Sequence, residues 1–471
     1  MRSLRRTVLA VGSYGALATA CGGDDGANPS STPGGSGGTS SSSGGNTTGA
    51  GGTSSNGGSA SSSGGNATGG SGGTSSGGGT SSGGGPSGGS CIDGEAAERL
   101  GKQRLMVGAA MADESAAAAP FDVRYLYLSG GIFDGEAPCN SCATSCTAGG
   151  MSCANSGDGC SWWGCWQYDQ DPPGAYVRDF VEKAKGDGQI PMITYYQILH
   201  ASGAGEGADE VQAANDATMM ARYLADFRFV VQQIGEEKAI VHIEPDFWGY
   251  AEQLNSDPHA VPAAVASANP SDCADHEDSI AGLGRCMVAM VREYAPNAVV
   301  GLHASPWGTN MDVFLNEDPN FDVAGEAEKL GAFMSECAPD ADLLVVDASD
   351  RDAGYYASIG QDRFWDDTNE TLPNFTQALA WSKALSERAD KKIAWWQLPV
   401  GNMALENTQN AWHDNRVDYL LTHTDEVVAA HGVLLAFGAG DGAQTTPETD
   451  GGNLIAKVNA YAEEAGELSC P

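Results

Sequence analysis

Two carboxylates two residues apart, followed by two aromatic side chains, stand at the end of one apolar run: Ala239-Ile240-Val241-His242-Ile243-Glu244-Pro245-Asp246-Phe247-Trp248. Ala239 to Ile243 is rich in β-branched residues, as in a strand covered on both faces. Pro245 cannot donate to a ladder, so pairing should stop there. A protonated carboxyl beside an ionised one is the equipment for general acid–base cleavage of an acetal. Walls such as Phe247 and Trp248 would raise an acid's pKa by disfavouring its charged form. Asp246 is assigned as the acid. In an extended strand Glu244 points to the same side and would tune it or orient a substrate.

Other chemistry-capable residues follow other apolar runs. Asp347 and Asp350, with Arg351, are candidates for the base or a supporting charge. His303 and Trp307, Trp396 and Gln397, and Asp441 with Gln444 are candidate substrate contacts, with Trp248 from the first run. His242 alternates with apolar neighbours and reads as a satisfied interior histidine. Asp414, in His413-Asp414-Asn415-Arg416, reads as a helix N-cap, and Arg416 as a partner for a rim acid.

These residues need a frame. Eight strand candidates run from Leu105 to Met111, Val123 to Leu128, Pro191 to Leu199, Ala239 to Ile243, Ala298 to His303, Asp342 to Val346, Lys392 to Trp396 and Gly432 to Phe437. Helical patterns alternate with most of them: Ala175 to Ala184, Gln212 to Ile234, Ser279 to Tyr294, Gly325 to Cys337, Phe375 to Arg388 and Val417 to Ala430, with Ile455 to Glu464 closing the chain. The alternation predicts an α/β fold with a parallel sheet, and eight strands predict a closed (β/α)8 TIM-like barrel. The weak step is the first crossover, because Glu114 to Pro120 is too short for a full helix. A seven-stranded or distorted barrel therefore stays open. In such a barrel, function belongs to the loops after the strand C-termini, where the candidates above accumulate.

The N-terminal fifth is different. Residues 1–21 read as a signal peptide: Arg2, Arg5 and Arg6, a short apolar core, then Ala18-Thr19-Ala20-Cys21. Cys21 reads as a lipidation site of the lipoprotein kind, with plain cleavage as the alternative. Residues 22–90 are almost entirely Gly, Ser, Thr and Asn, a flexible tether with an r.m.s. span of roughly 45 Å. Residues 91–471 form the single barrel domain. The expected location is the cell surface or outer membrane, or the secreted fraction, with a membrane met only through the lipid at Cys21.

Twelve cysteines in an exported chain read as disulfides. Cys91 and Cys470 bracket the domain and should tie its ends. Cys273, Cys286 and Cys337 leave an odd count and one candidate free thiol. Cys139, Cys142, Cys146, Cys153, Cys160 and Cys165 crowd into a disulfide-rich insertion after strand two, which also carries Trp162 and Trp163. These are candidate sugar-stacking faces, or the small core of the loop itself. No cofactor or metal is expected, since the Cys139-Asn-Ser-Cys142 spacing lacks a second pair.

The formal net charge of −37 excludes nucleic acid and anionic polymers as partners. A neutral glycan fits, acted on by a monomer. Val241-His242-Ile243-Glu244-Pro245-Asp246 resembles the Ile-Glu-Pro-Asp motif of family 6 glycoside hydrolases, the secreted cellobiohydrolases and endoglucanases. The similarity extends loosely from Pro191 to about Arg351. It implies Asp246 as catalytic acid, an inverting outcome and a β-linked glucan. The family's second aspartate has no match, because that place reads Gln197-Ile198-Leu199-His200. Gln397-Leu398-Pro399-Val400-Gly401-Asn402 stands where the family has Lys-Pro-Gly-Gly-Glu. The expected activity is therefore that of a glycoside hydrolase on a neutral polysaccharide. A non-catalytic carbohydrate-binding barrel is the alternative. An esterase or deacetylase ranks lower, with no Gly-x-Ser-x-Gly elbow in the chain.

Overall fold

The computed structural model describes residues 90–129, 132, 147–148, 151–152, 173–440, 443–467 and 470. Cys21, the signal and linker segments, the six clustered cysteines, Trp162, Trp163 and Asp441 lie outside the described residues.

Eight parallel strands close into a barrel, each beside its chain neighbour and the last beside the first. They are β1 (Met106–Ala109), β2 (Val123–Leu128), β3 (Ile190–Tyr195), β4 (Ile240–Ile243), β5 (Val299–His303), β6 (Leu343–Asp347), β7 (Lys392–Leu398) and β8 (Gly432–Phe437). The first crossover holds despite its length. The six-residue helix α2 (Asp113–Ala118) spans it, and β1 and β2 approach so closely that a Cβ on Gly108 would meet the Val123 carbonyl oxygen at 2.6 Å. Glycine there lets the barrel close at its tightest seam.

Every strand is covered on both faces, which explains the near-continuous apolar runs. The interior is filled by inward residues such as Met106, Tyr125, Met192, Val345, Trp396 and Leu434. Helix α1 (Glu95–Leu100) adds Ala96 and Leu100 to this cluster and so plugs the end away from the loops. Outside, the helical ring is α3 (Ala175–Gly186), α4 (Ile198–Ser202), α5 (Ala208–Ala213), α6 (Ala217–Ile234), α7 (Phe247–Leu254), α8 (Ile280–Tyr294), α9 (Val323–Cys337), α10 (Ala353–Ser358), α11 (Phe375–Ala389), α12 (Arg416–Thr422), α13 (Thr424–Ala429) and α14 (Asn453–Glu467).

Some expected boundaries shift for local reasons. The third strand stops at Tyr195 rather than Leu199, since Ile198 starts a helix. The single helix expected from Gln212 breaks at Asp216, whose carboxylate accepts from the Thr218 and Met219 N–H groups and caps α6. The helix expected over Val417 to Ala430 is interrupted at His423.

Cys91 and Cys470 form the expected disulfide, and Cys273 pairs with Cys286. Among the described residues Cys337 is a free thiol, and it is buried.

Candidate active site

At the C-terminal mouth of the barrel lies a cleft of about 230 Å³, walled by the segments after β3, β4, β5, β6 and β7. Glu206, Asp246, Asp312, Asp347 and Asp350 bring five carboxylates to it, with Tyr250, Trp307 and Phe314 as apolar wall and Arg363 and Arg416 as cations. A larger hollow of about 620 Å³ lies on the outer surface along α8. Its arginines are already engaged, Arg285 with Glu336 and Arg292 with Asp342, and the strand ends bearing the carboxylates open elsewhere.

Asp246 leads α7 from a left-handed backbone, φ 65°. Glu244 and Gln397, at the ends of β4 and β7, share that conformation with φ of 48° and 53°. Positive φ at a non-glycine residue is strained, and three cases at one rim mark a surface shaped for something other than stability. Asp246 is partly exposed and lines the cleft. Removal from water pushes its carboxyl up to about 7; the neighbouring His303 opposes this, while Asp347, Glu206 and Asp350 reinforce it.

Glu244 goes elsewhere. The expectation that it shares a side with Asp246 assumed an extended chain, and the two positive φ values break that assumption. Its side chain is fully buried under the loop after β3, with Oε1 accepting from the Gln197 N–H (3.0 Å), the Ile198 N–H (3.2 Å) and the Tyr223 hydroxyl (2.8 Å). Burial dominates and pushes it up to about 8, against the three hydrogen bonds. Glu244 therefore anchors the β3 loop. Glu244→Ala is expected to destabilise the protein by about 3–5 kcal/mol, because it strands two N–H groups and a hydroxyl away from water. Glu244→Gln keeps the acceptor oxygen and should cost less than half of that, measured by urea denaturation.

Asp347 ends a buried hydrogen-bonded chain. Thr194 Oγ1 meets His242 Nδ1, His242 Nε2 meets His303 Nδ1, and His303 Nε2 meets Asp347 Oδ1, each at 3.1 Å. With both rings neutral, one directional arrangement satisfies all three contacts. His303 donates to the carboxylate, His242 donates to His303, and Thr194 donates to His242. Burial, with His303 beside it, pushes the His242 pKa well down, which keeps that ring neutral. The chain fixes Asp347 in the cleft as an oriented carboxylate. His242 is thus the satisfied interior histidine expected from its alternation.

The aromatic candidates divide. Trp307 lines the cleft, its ring 4.6 Å from that of Tyr250. Trp248 is wholly buried and donates its indole N–H to the Ile243 carbonyl, so it is core and offers no face to a ligand. Phe247 is core too, so neither ring walls Asp246 as expected. Trp396 is 2% exposed and forms the floor between Tyr127, His242 and His303. Gln397 accepts from the Tyr127 hydroxyl above that floor. His303, also buried, offers no face to a ligand and bonds Asp347.

Asp350 lines the cleft and accepts from the Tyr356 hydroxyl. Arg416 does not pair with a rim acid. It binds Asp414 at 2.7 Å, donates to the Arg363 carbonyl and lies over the Trp365 ring. Asp414 also accepts from the Ala353 N–H at 2.8 Å and, in its N-cap-like role, from the Arg416 N–H at 2.9 Å. Beside it, buried Asp352 accepts from the N–H groups of Gly401 and Thr445, both at 2.9 Å. The loops after β6, β7 and β8 are thereby laced together behind the cleft. Gly401 must be glycine, since a Cβ would meet the Asp414 Cβ at 2.6 Å.

Sequence reading missed Glu206, Tyr250 and Asp312, which reach the cleft from loops and from α7. It also missed Glu210, fully buried on α5 with neither carboxyl oxygen hydrogen-bonded among the described residues. Burial, with Glu244, Asp246 and Glu206 nearby, pushes Glu210 up to about 9. Only the acidity of Gly205-Glu206-Gly207 hinted at the first of these. Among the described residues no group of three or more His, Cys, Asp or Glu is arranged to hold a metal ion.

No family model and no curated relative matches the chain. Solved structures with a related barrel include an endo-β-1,4-mannanase of glycoside hydrolase family 26 from Cellulomonas fimi, 14% identical over 78% of this chain and 73% of that one (TM-score 0.42). A family 26 β-mannanase from Bacteroides ovatus is 8% identical over 80% and 93% (TM-score 0.42). A family 5 mannosidase from Rhizomucor miehei is 9% identical over 75% and 87% (TM-score 0.40). At these identities and scores no chemistry transfers to this chain. The expected family 6 resemblance is corrected: no family model matches, and the similar structures found are of families 26 and 5. The inverting outcome, implied only by that resemblance, loses its support with it.

Proposed function

We propose that this protein is a glycoside hydrolase that cleaves a polysaccharide by carboxylate acid–base chemistry. The observation that carries the reading is Asp246, partly exposed on an aromatic-walled cleft and held up to about 7 by burial. It is an acid that keeps its proton near neutrality and can hand it to a departing glycosidic oxygen. Asp347, oriented by the histidine chain, is the carboxylate that supports the opposite face, as base or as nucleophile. Asp350 adds negative charge that favours a positively charged transition state. Trp307 and Tyr250 offer ring faces to the apolar side of a sugar.

The substrate we propose is a neutral polysaccharide, reached from the cell surface by a tethered or secreted protein. The signal-like residues 1–21 and Cys21 support export, and the Cys91–Cys470 disulfide fits an oxidising compartment.

The test is reducing-sugar release from mannan, β-glucan, xylan and chitin by the full-length protein across pH 4–9. The active form carries a proton on Asp246 and an ionised partner carboxylate, so the rate should reach a plateau just on the acid side of Asp246. It should then fall about tenfold per pH unit above about 7. Cleavage that keeps rising to pH 9 would exclude Asp246 as the acid.

A further inference from the structure

On the side of the cleft away from Trp307 and Tyr250, the loops after β6 and β7 carry a second aromatic pair. Tyr355 and Trp412 have ring centroids 5.7 Å apart at 83°, and both are partly exposed. The Arg351 guanidinium lies over the Tyr355 ring at 4.4 Å. The Tyr355 ring lies 5.5 Å from that of Tyr356, whose hydroxyl donates to the cleft residue Asp350, so the patch adjoins the cleft.

The patch is held in place from behind. The Trp412 indole N–H donates to the Ala443 carbonyl at 2.7 Å, and its backbone N–H donates to Thr445 Oγ1 at 2.8 Å. Tyr355 sits in the first turn of α10, whose start is fixed by the Asp414 bond to the Ala353 N–H. With the polar edge of the indole already satisfied, what Trp412 presents outward is apolar ring.

We infer that Arg351, Tyr355 and Trp412 form a distal sugar-binding subsite. One extended glycan chain would run from Trp307 and Tyr250, across Asp246, to this patch, and the protein would cleave within chains. This rests on the glycosidase reading above and adds the chain length and the direction of the substrate. Aromatic faces hold the apolar side of a pyranose ring, and the Arg351 guanidinium lying over Tyr355 helps to fix that ring. A site for single terminal sugars would have no use for a second platform beyond the acid.

The test compares the full-length protein with Trp412→Ala, Tyr355→Ala and Trp412→Phe. The readout is the ratio of kcat/KM on a hexasaccharide to that on the disaccharide of whichever glycan the wild type cleaves. The wild-type ratio should exceed ten. Trp412→Ala and Tyr355→Ala should each lower it about tenfold, mainly through KM, and Trp412→Phe should keep most of it. Equal losses on long and short substrates would overturn the subsite and reduce these residues to holding the loop. A wild-type ratio near one would overturn it while leaving the glycosidase reading intact. A wild type that neither cleaves nor binds any glycan would remove both.

Discussion

Asp246→Asn is expected to lower kcat on a polysaccharide by about 10²–10⁴-fold, the range for losing one positioned proton donor. The fold should survive. No side-chain hydrogen bond from Asp246 caps α7, and the carboxyl sits near Asp347, Glu206 and Asp350, all of which penalise its ionised form. An amide of the same shape removes that penalty. The melting temperature should therefore hold or rise at pH 8, where the wild-type group is ionised. Loss of activity with unchanged or greater stability separates a chemical residue from a structural one. A variant that is both inactive and several degrees less stable would place Asp246 in the framework.

Asp414→Ala carries a stability effect as large as that of Glu244→Ala. The carboxylate is fully buried and answers three donors: the Arg416 guanidinium, the Arg416 N–H and the Ala353 N–H. Removing it leaves a guanidinium buried without its counter-charge, which costs about 3–5 kcal/mol. The loops after β6 and β7 lose their tie, so the denaturant midpoint and the activity should fall together. Circular dichroism in urea reads the first effect, and a loss below about 1 kcal/mol would show that the Asp352 bonds hold the rim alone.

The eight strands were legible because strands buried on both faces must be apolar and β-branched. The alternation with helices then left few topologies. The barrel itself directed the search to one rim, and Asp246, Trp307, Asp347 and Asp350 do line a single cleft there. What was not legible turns on single torsions and on distant loops. Glu244 and Asp246 read as neighbours on one side until their left-handed backbones sent one under the β3 loop and the other into the cleft. Trp248 and Trp396 have the composition of sugar platforms, but a residue type does not say which face is covered. Glu206, Tyr355 and Trp412 gain their positions from loops whose course depends on buried carboxylates such as Asp352, more than 40 residues away in sequence from the Gly401 N–H it holds.

The central claim, that Asp246 protonates the departing oxygen, is tested most directly by leaving-group dependence. Wild type and Asp246→Ala would be compared on aryl glycosides of the preferred sugar, with phenols running from strongly acidic to weakly acidic. A good leaving group needs no proton, so the variant should come within about tenfold of wild type on the most acidic phenol and fall about 10³-fold behind on the least acidic. An equal deficit across the series would contradict the assignment and return Asp246 to a role in binding or folding.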